Sequence, residues 1–411
     1  MTHFTQLQKQ HTDIPDAVLL KAALLFDGLA VTPALLEAGR DAIPHFHTVR
    51  RNGQEHQIPY FIWLPDGAGE ELLVLVRPAD KSPWHVRDDG QGGLALYDDD
   101  AEVSELRVAP RPRWHRRIEE QEKQEMLYAL SQHGGMLVAN LTPACEYWQA
   151  DVDGGPAKCR FCGYGAVSHR SRGLRQERGM ARPPADVLQA FEQTVAEARP
   201  EADHLFLVGG SMLDRDCEGE RYLALTEAAV RGEPAWRGAI GCGSQALPAA
   251  WTQRIRDAGA GYACFNLEVW DPARWQVLCP GKAAWITREQ WLEDMLAAVE
   301  VFGRGGVLSA FVAGVELVPP AGFADREEAL ASALAGTDWL LARGIVPLYS
   351  PFSPAPNATY DQASGPDMGY FLRLNLEAAR LRRRHELPVN RQFVSHRDTY
   401  AQLECDLDRL L

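Results

Sequence analysis

The chain has 411 residues, 46% of them hydrophobic and 24% charged, a balance that suits a globular protein of two or three domains. Its net charge of −14 repels phosphate backbones, so no nucleic-acid partner is expected. Eight irregularly spaced cysteines do not make a secreted disulfide framework. No run of about 18 apolar residues offers a membrane span, and residues 1–6 show no signal pattern, so a cytoplasmic location with no membrane partner is expected.

Residues 1–115 read as a small α+β accessory domain. Helices are expected over 17–26 and 33–38, and strands over 60–64 and 72–77, separated by the turn Pro65-Asp66-Gly67. A second turn falls at 88–93. Residues 110–114, where Pro and Arg alternate, read as a linker, and Trp114-His115-Arg116-Arg117 as a linker charge cluster. His45-Phe46-His47, without further ligands, reads as ordinary imidazoles rather than a metal site.

From about 120 the pattern becomes strand, helix, strand, helix. Short apolar runs at 136–140, 204–208, 238–242, 262–266, 307–313 and 345–349 read as strands. Segments of period 3.6 at 186–198, 220–231, 248–258, 288–302, 326–343 and 368–384 read as helices. Six alternating units imply parallel strands joined by right-handed crossovers, hence an α/β fold with a partial (β/α)6 TIM-like barrel over 116–360. Residues 361–411 are expected to form a helical extension packing on it. The basic run Arg380, Arg382, Arg383, Arg384 and His385 reads as a helix C-terminus, where cations suit the macrodipole.

In such folds the sites gather at the carboxyl ends of the strands. The polar and glycine-rich clusters fall there in order: Cys145, Gly209-Gly210-Ser211, Cys242-Gly243-Ser244-Gln245, Asn266-Leu267-Glu268, Gly314-Val315-Glu316 and Ser350-Pro351-Phe352-Ser353. Trp270, Asp271, Arg274, Cys279, Pro280, Gly281 and Lys282 read as a loop after the fourth strand. There Lys282 or Arg274 either holds an acidic substrate or is a solvated charge. Arg304 reads as a cofactor contact or a helix-end cation.

Cys145, Cys159 and Cys162 form the densest chemical signal. Thirteen residues separate the first two, and the last pair is a Cys-x-x-Cys with Phe161 before its second thiol. A structural zinc site wants four ligands, and the nearest further candidate is His169. A thioredoxin-like pair would open a helix, whereas Gly163-Tyr164-Gly165 follows here. Inert buried thiols are the plainest alternative, but a triplet in a loop is rarely that. Three soft thiolates from one segment suit an iron–sulfur cluster with one open iron.

With its aromatic before the third thiol, this cluster resembles the signature of the radical S-adenosylmethionine superfamily, which spaces its first two cysteines by three residues rather than thirteen. The insert, with Asp151, Asp153, Gly154, Gly155 and Pro156, reads as an added loop of small closure cost. The layout of the third and fourth strands is similar to the biotin synthase branch. The resemblance implies a [4Fe–4S] cluster on Cys145, Cys159 and Cys162, and S-adenosyl-L-methionine contacted by Phe161, Tyr164, Gly209, Gly210, Ser211, Asn266, Glu268 and Gly314. It implies reductive cleavage of that cofactor to a 5′-deoxyadenosyl radical, which takes hydrogen from a small-molecule substrate, with a flavodoxin or ferredoxin as electron donor. Cys242 matches a position of that branch's second cluster, but Leu308 stands at another, so sulfur insertion is disfavoured. Cys217, Cys264, Cys279 and Cys405 read as mostly buried hydrophobes. A non-enzymatic zinc or iron–sulfur scaffold and a peptide-modifying radical enzyme are the competing readings.

Overall fold

The computed structural model describes residues 1–39, 46–51, 53–90, 93–109, 111–120, 129–142, 145–163, 183–365, 367–387 and 399–411. Tyr164, His45 and His169 lie outside them.

The N-terminal region opens with helices His3–Gln10, Asp16–Asp27 and Pro33–Gly39. Strands β1 (Phe46–Arg51) and β2 (Gln54–Pro59) pair as a separate hairpin. Strands β3 (Phe61–Pro65), β4 (Glu71–Leu75), β5 (Trp84–Asp88), β6 (Leu94–Asp98) and β7 (Ala101–Val108) form an antiparallel sheet in the order β4-β3-β7-β6-β5. The expected linker is instead the start of a helix, Arg113–Glu120. A carboxylate explains the change: Glu201 accepts from the Arg113 and Trp114 backbone N–H groups at 3.0 and 3.3 Å, satisfying donors that a helix start leaves open. Within the expected charge cluster, Trp114 and His115 are buried, Trp114 donating its indole N–H to Gln132 at 2.8 Å, while Arg116 and Arg117 are exposed.

The remaining strands are β8 (Leu130–His133), β9 (Met136–Thr142), the short pair β10 (Asp151–Val152) and β11 (Gly155–Pro156), β12 (His204–Gly209), β13 (Ile240–Ser244), β14 (Ala260–Phe265), β15 (Val307–Ala313) and β16 (Ile345–Pro351). Seven of them form one sheet in the order β8-β9-β12-β13-β14-β15-β16, with β8 antiparallel at its edge and every other pairing parallel. This is the expected six-unit incomplete barrel. Its strands are nearly continuous buried runs because helices cover one face and the barrel interior the other. Capping side chains open four of the long helices that follow the parallel strands. Asp214, Thr287, Asp325 and Asp367 each accept from backbone N–H groups in the first turns of helices Arg215–Gly232, Arg288–Phe302, Arg326–Ala342 and Met368–Arg384. Gly259, at φ 134°, ends helix Ala249–Ala258 and turns the chain into β14.

The main apolar core runs from Leu7 in the N-terminal region through the barrel to Leu407, with smaller clusters around Tyr262 and Phe61. The C-terminal helix Glu404–Leu410 braces it. Asp406 binds Lys21 of the second helix at 2.6 Å with both side chains fully buried, Arg409 binds Asp66 beyond β3, and Glu404 accepts from the backbone N–H of Tyr349 in β16. Within the basic run, Arg382 pairs with Asp408 at 2.6 Å. Arg304 donates to the carbonyls of Ala342 and Leu341, a helix-end role. Among the described residues, no helix is long and apolar enough to cross a membrane.

Candidate functional site

Cys145 follows β9 and precedes a 3-10 turn, Glu146–Trp148. The thirteen-residue insert is folded. Asp153 and Gly154 adopt φ of 51° and 76°, the paired positive values of a tight hairpin turn, and β10 pairs with β11 around them. The hairpin returns the chain, and Cys159 comes close enough to Cys145 to act on its thiol. The backbone N–H of Cys162 donates to the Cys159 carbonyl at 3.1 Å, closing a turn between the last two thiols.

Three neighbours hold this loop. At the carboxyl end of β12, the Glu146 N–H donates to Ser211 O at 2.9 Å, and the Glu146 carboxylate accepts from Leu213 N–H at 2.7 Å. Behind it, the buried Tyr147 hydroxyl donates to Gln245 at 3.0 Å, and Gln245 donates to Glu218 at 2.8 Å and to Met212 O at 2.7 Å. Glu218, its carboxyl raised by burial, also accepts from the backbone N–H groups of Met212 and Gln245, tying the ends of β12 and β13 together. On the far side Gly163 packs so closely on Ala355 and Pro356 that a Cβ would lie 2.8 Å from the Ala355 Cβ. Lys158 donates to Asn357 O at 2.5 Å and stacks 4.0 Å from the Trp148 ring.

The third neighbour follows β14. Residues 270–282, expected as a loop, contain two short helices, Pro272–Leu278 and Pro280–Trp285, each opening on proline, which is pre-organised for a first helical position. Lys282 is not solvated. It donates to Asn266 O at 2.6 Å and to Glu268 Oε1 at 2.8 Å, and both side chains of the pair are largely buried, at 7% and 14% exposure. Burial pulls the Lys282 ammonium toward neutrality, but Glu268, Cys159 and Cys279 together shift it the other way, so it stays charged. Arg274 pairs with Asp271 and lies 3.2 Å from the Phe323 ring centroid.

The thiols answer to these surroundings. Burial pushes Cys145 up to about 11, with Cys159 adding to the rise, while the backbone N–H groups of Ser211 and Tyr147 restrain it. A hydrogen bond with Cys279 raises Cys159 well above the ordinary thiol range, burial adds to this, and Lys282 opposes it. Cys145, Cys159 and Cys162 are all half-buried, and none is in a disulfide. Among the described residues no three His, Cys, Asp or Glu side chains converge on a single metal ion. A cubane presents a separate iron to each thiolate, so its ligands stand apart by the width of the cluster. Soft thiols from one segment are the donor type such a cluster takes.

The other expected residues gather at the strand ends. The carbonyl of Gly210 accepts from Arg221 at 2.8 Å and that of Ser211 from Glu146, which fixes the glycine run while leaving each oxygen a second lone pair. Asn266 Oδ1 accepts from Ala310 N–H at 3.2 Å and from the Cys264 thiol at 3.1 Å, stapling β14 to β15. Glu268 holds φ 72° and pairs by backbone with Phe311. Gly314, at φ 92°, donates its N–H to the buried Glu316 carboxylate at 2.8 Å. Phe161 packs at the edge of the core. Trp270, Phe311, Phe323 and Tyr349, with Glu268 and Glu316, line a narrow cleft at the ends of β14, β15 and β16. Cys242 and Cys264 are buried, pushed up to about 12, and sit on adjacent strands. Cys217 is half-buried beside the Asp214 cap rather than in the core. The Cys279, Lys282 and Glu268 group under Cys159 escaped sequence reasoning. Its one signal was the i, i+3 spacing of Cys279 and Lys282 around Pro280-Gly281.

No family model matches the chain. A curated protein, the bacteriochlorophyllide c C-7(1)-hydroxylase of Chlorobaculum limnaeum, is 25% identical over 156 residues, 37% of this chain and 35% of that protein, so the match spans about a third of the relative's length. Among solved structures, the chain is similar to a radical SAM methyltransferase from Sphaerobacter thermophilus, with 12% identity, 76% of this chain and 77% of that one covered, and a TM-score of 0.44. It is also similar to the FeFe-hydrogenase maturase of Carboxydothermus hydrogenoformans, with 15% identity, coverages of 61% and 52%, and a TM-score of 0.40. A third is the coproporphyrinogen III oxidase of Escherichia coli, described as a radical SAM enzyme, with 14% identity, coverages of 62% and 53%, and a TM-score of 0.38.

Proposed function

We infer that this chain is a radical S-adenosylmethionine enzyme acting on a small molecule at the carboxyl ends of its sheet. One observation supports the reading: the insert after Cys145 folds into a hairpin, Cys159 comes close enough to raise the Cys145 thiol, and the next residue, Glu146, is bonded to Ser211 of the glycine run. Cys145, Cys159 and Cys162 would hold a [4Fe–4S] cluster, and the iron without a protein ligand would take S-adenosyl-L-methionine. When bound, the pair supplies a 5′-deoxyadenosyl radical by one-electron cleavage of the sulfonium.

The chain's own part is placement and exclusion of water. Gly209, Gly210 and Ser211 offer carbonyls to the amino group of the cofactor. Phe161 shields the cluster loop, and Tyr164 follows it in sequence. Asn266 has its oxygen committed to β15, so its amide N–H groups are what it offers a ribose or carboxylate. Glu268 is held by Lys282, and Gly314 keeps the end of β15 open to a flat adenine. A flavodoxin or ferredoxin delivers the electron. Anaerobic reconstitution should load about four irons per chain, and added reductant with S-adenosyl-L-methionine should yield 5′-deoxyadenosine. Cys162→Ala should lose both. A Cys162→Ala protein that still forms 5′-deoxyadenosine overturns the proposal.

A further inference from the structure

Gln245 follows β13 and is 2% exposed. Its side chain joins separate segments of the chain. The amide oxygen accepts from the Tyr147 hydroxyl at 3.0 Å, and the amide nitrogen donates to Met212 O at 2.7 Å and to the Glu218 carboxylate at 2.8 Å. A backbone carbonyl can only accept, so the nitrogen must face Met212 and the oxygen must face Tyr147. Both amide hydrogens are thereby engaged, and the side chain has nothing left to donate to a ligand.

Two of these partners adjoin the proposed site. Tyr147 lies in the turn Glu146–Trp148, directly after Cys145. Met212 follows the run Gly209-Gly210-Ser211. Its backbone is pinned on both sides, the N–H by Glu218 at 2.7 Å and the carbonyl by Gln245. The cysteine loop holds the flanking groups itself: Ser211 O accepts from the Glu146 N–H at 2.9 Å, and the Leu213 N–H donates to the Glu146 carboxylate at 2.7 Å. The loop and the glycine run therefore meet directly through Glu146 and again through Gln245.

We propose that Gln245 is a positioning residue, which sets the affinity for S-adenosyl-L-methionine by fixing the glycine run against the cysteine loop. This deepens the cofactor reading above and rests on it. Carbonyls that are already fixed bind an amino group well, whereas a mobile run must be ordered at the moment of binding, which weakens affinity. A fully satisfied buried network supplies that rigidity, and its members act together. Loosening the Tyr147 end therefore loosens the Met212 end. Without Gln245 the cysteine loop keeps its Glu146 bonds, so iron uptake does not depend on it.

Tyr147→Phe removes only the hydroxyl link. Gln245→Met keeps a similar side-chain volume and removes all the amide bonds. In full-length apoprotein each change should quicken hydrogen exchange at the Met212 and Leu213 amides roughly fivefold, the worth of one buried hydrogen bond. The double variant should exchange no faster than Gln245→Met alone. After anaerobic reconstitution both variants should hold as much iron as the wild type, while the dissociation constant for S-adenosyl-L-methionine, from equilibrium dialysis, rises roughly three- to tenfold. A merely structural defect would lower iron and affinity together. Should Gln245→Met not fold, Tyr147→Phe alone decides. Variants that bind the cofactor as tightly as the wild type, that lose iron in proportion, or whose effects simply add overturn the proposal and leave the cofactor reading standing. A wild-type chain that takes up no iron or binds no S-adenosyl-L-methionine overturns that reading, and the role of Gln245 with it.

Discussion

Lys282 and Glu268 are each other's solvation. Neither has much water, and the ammonium is shared with the Asn266 carbonyl. Lys282→Met should leave a buried carboxylate unpaired and cost about 3–5 kcal/mol, measured by urea unfolding. Adding Glu268→Gln should restore most of the loss, because the penalty lies in the orphaned charge rather than in the missing pair. Gly281 works by having no side chain. A Cβ there would meet Ala157 O at 2.5 Å and Tyr147 Cδ1 at 2.8 Å. Gly281→Ala should therefore cost about 1–3 kcal/mol of overpacking and push the cysteine hairpin off its seat. Iron bound per chain after reconstitution should fall below that of the wild type. Neither role was legible in the sequence. Lys282 read equally well as a solvated charge, because its partner lies fourteen residues earlier on a different element.

The helix Glu404–Leu410 is the element whose chemistry depends most on pH. Burial lifts the Glu404 carboxyl to about 7, while the Tyr349 N–H, Arg382 and Lys21 oppose the rise. Its folded value lies above the ordinary 4.5, so the native state holds the proton more tightly than the unfolded chain. That contribution to stability is fully present below about pH 4.5 and is lost as pH rises through about 7. Glu404→Gln should flatten this part of the stability profile, seen as the difference between wild-type and variant denaturation midpoints across that window. An unchanged difference would remove Glu404 as the cause. Among the other elements, the six long helices that follow the parallel strands were readable because each is ten residues or longer, most with a capping residue before it. Helices Pro272–Leu278 and Pro280–Trp285 were not, because each is under two turns and opens on a proline that punctuates like a loop. Strand β7 was missed because much of it faces solvent and has no buried alternation.

At the scale of the molecule, the two ends of the chain are joined by the fully buried pair Lys21–Asp406. Asp406→Asn should leave the Lys21 ammonium without its counter-charge, with only neutral acceptors such as the Thr399 carbonyl, at a cost of about 3–5 kcal/mol. The continuous core spreads that loss, so hydrogen exchange should quicken in both helix Asp16–Asp27 and strand β16. Faster exchange in one of them alone would mean the brace is local. Lys21 sits inside the apolar run Val18–Leu25, where a lone lysine gave no hint of a partner 385 residues away. The alternation of apolar runs and amphipathic helices determined the parallel sheet, its strand order and the rim that collects the polar clusters, because strands buried on both faces are apolar along their whole length. The cysteine spacing likewise named three thiols as one group. Folding alone decided that the insert between Cys145 and Cys159 is a hairpin and that Lys282 is buried against Glu268 and the Asn266 carbonyl. Those facts depend on which distant segments share the space beyond β14, and local periodicity carries no information about that.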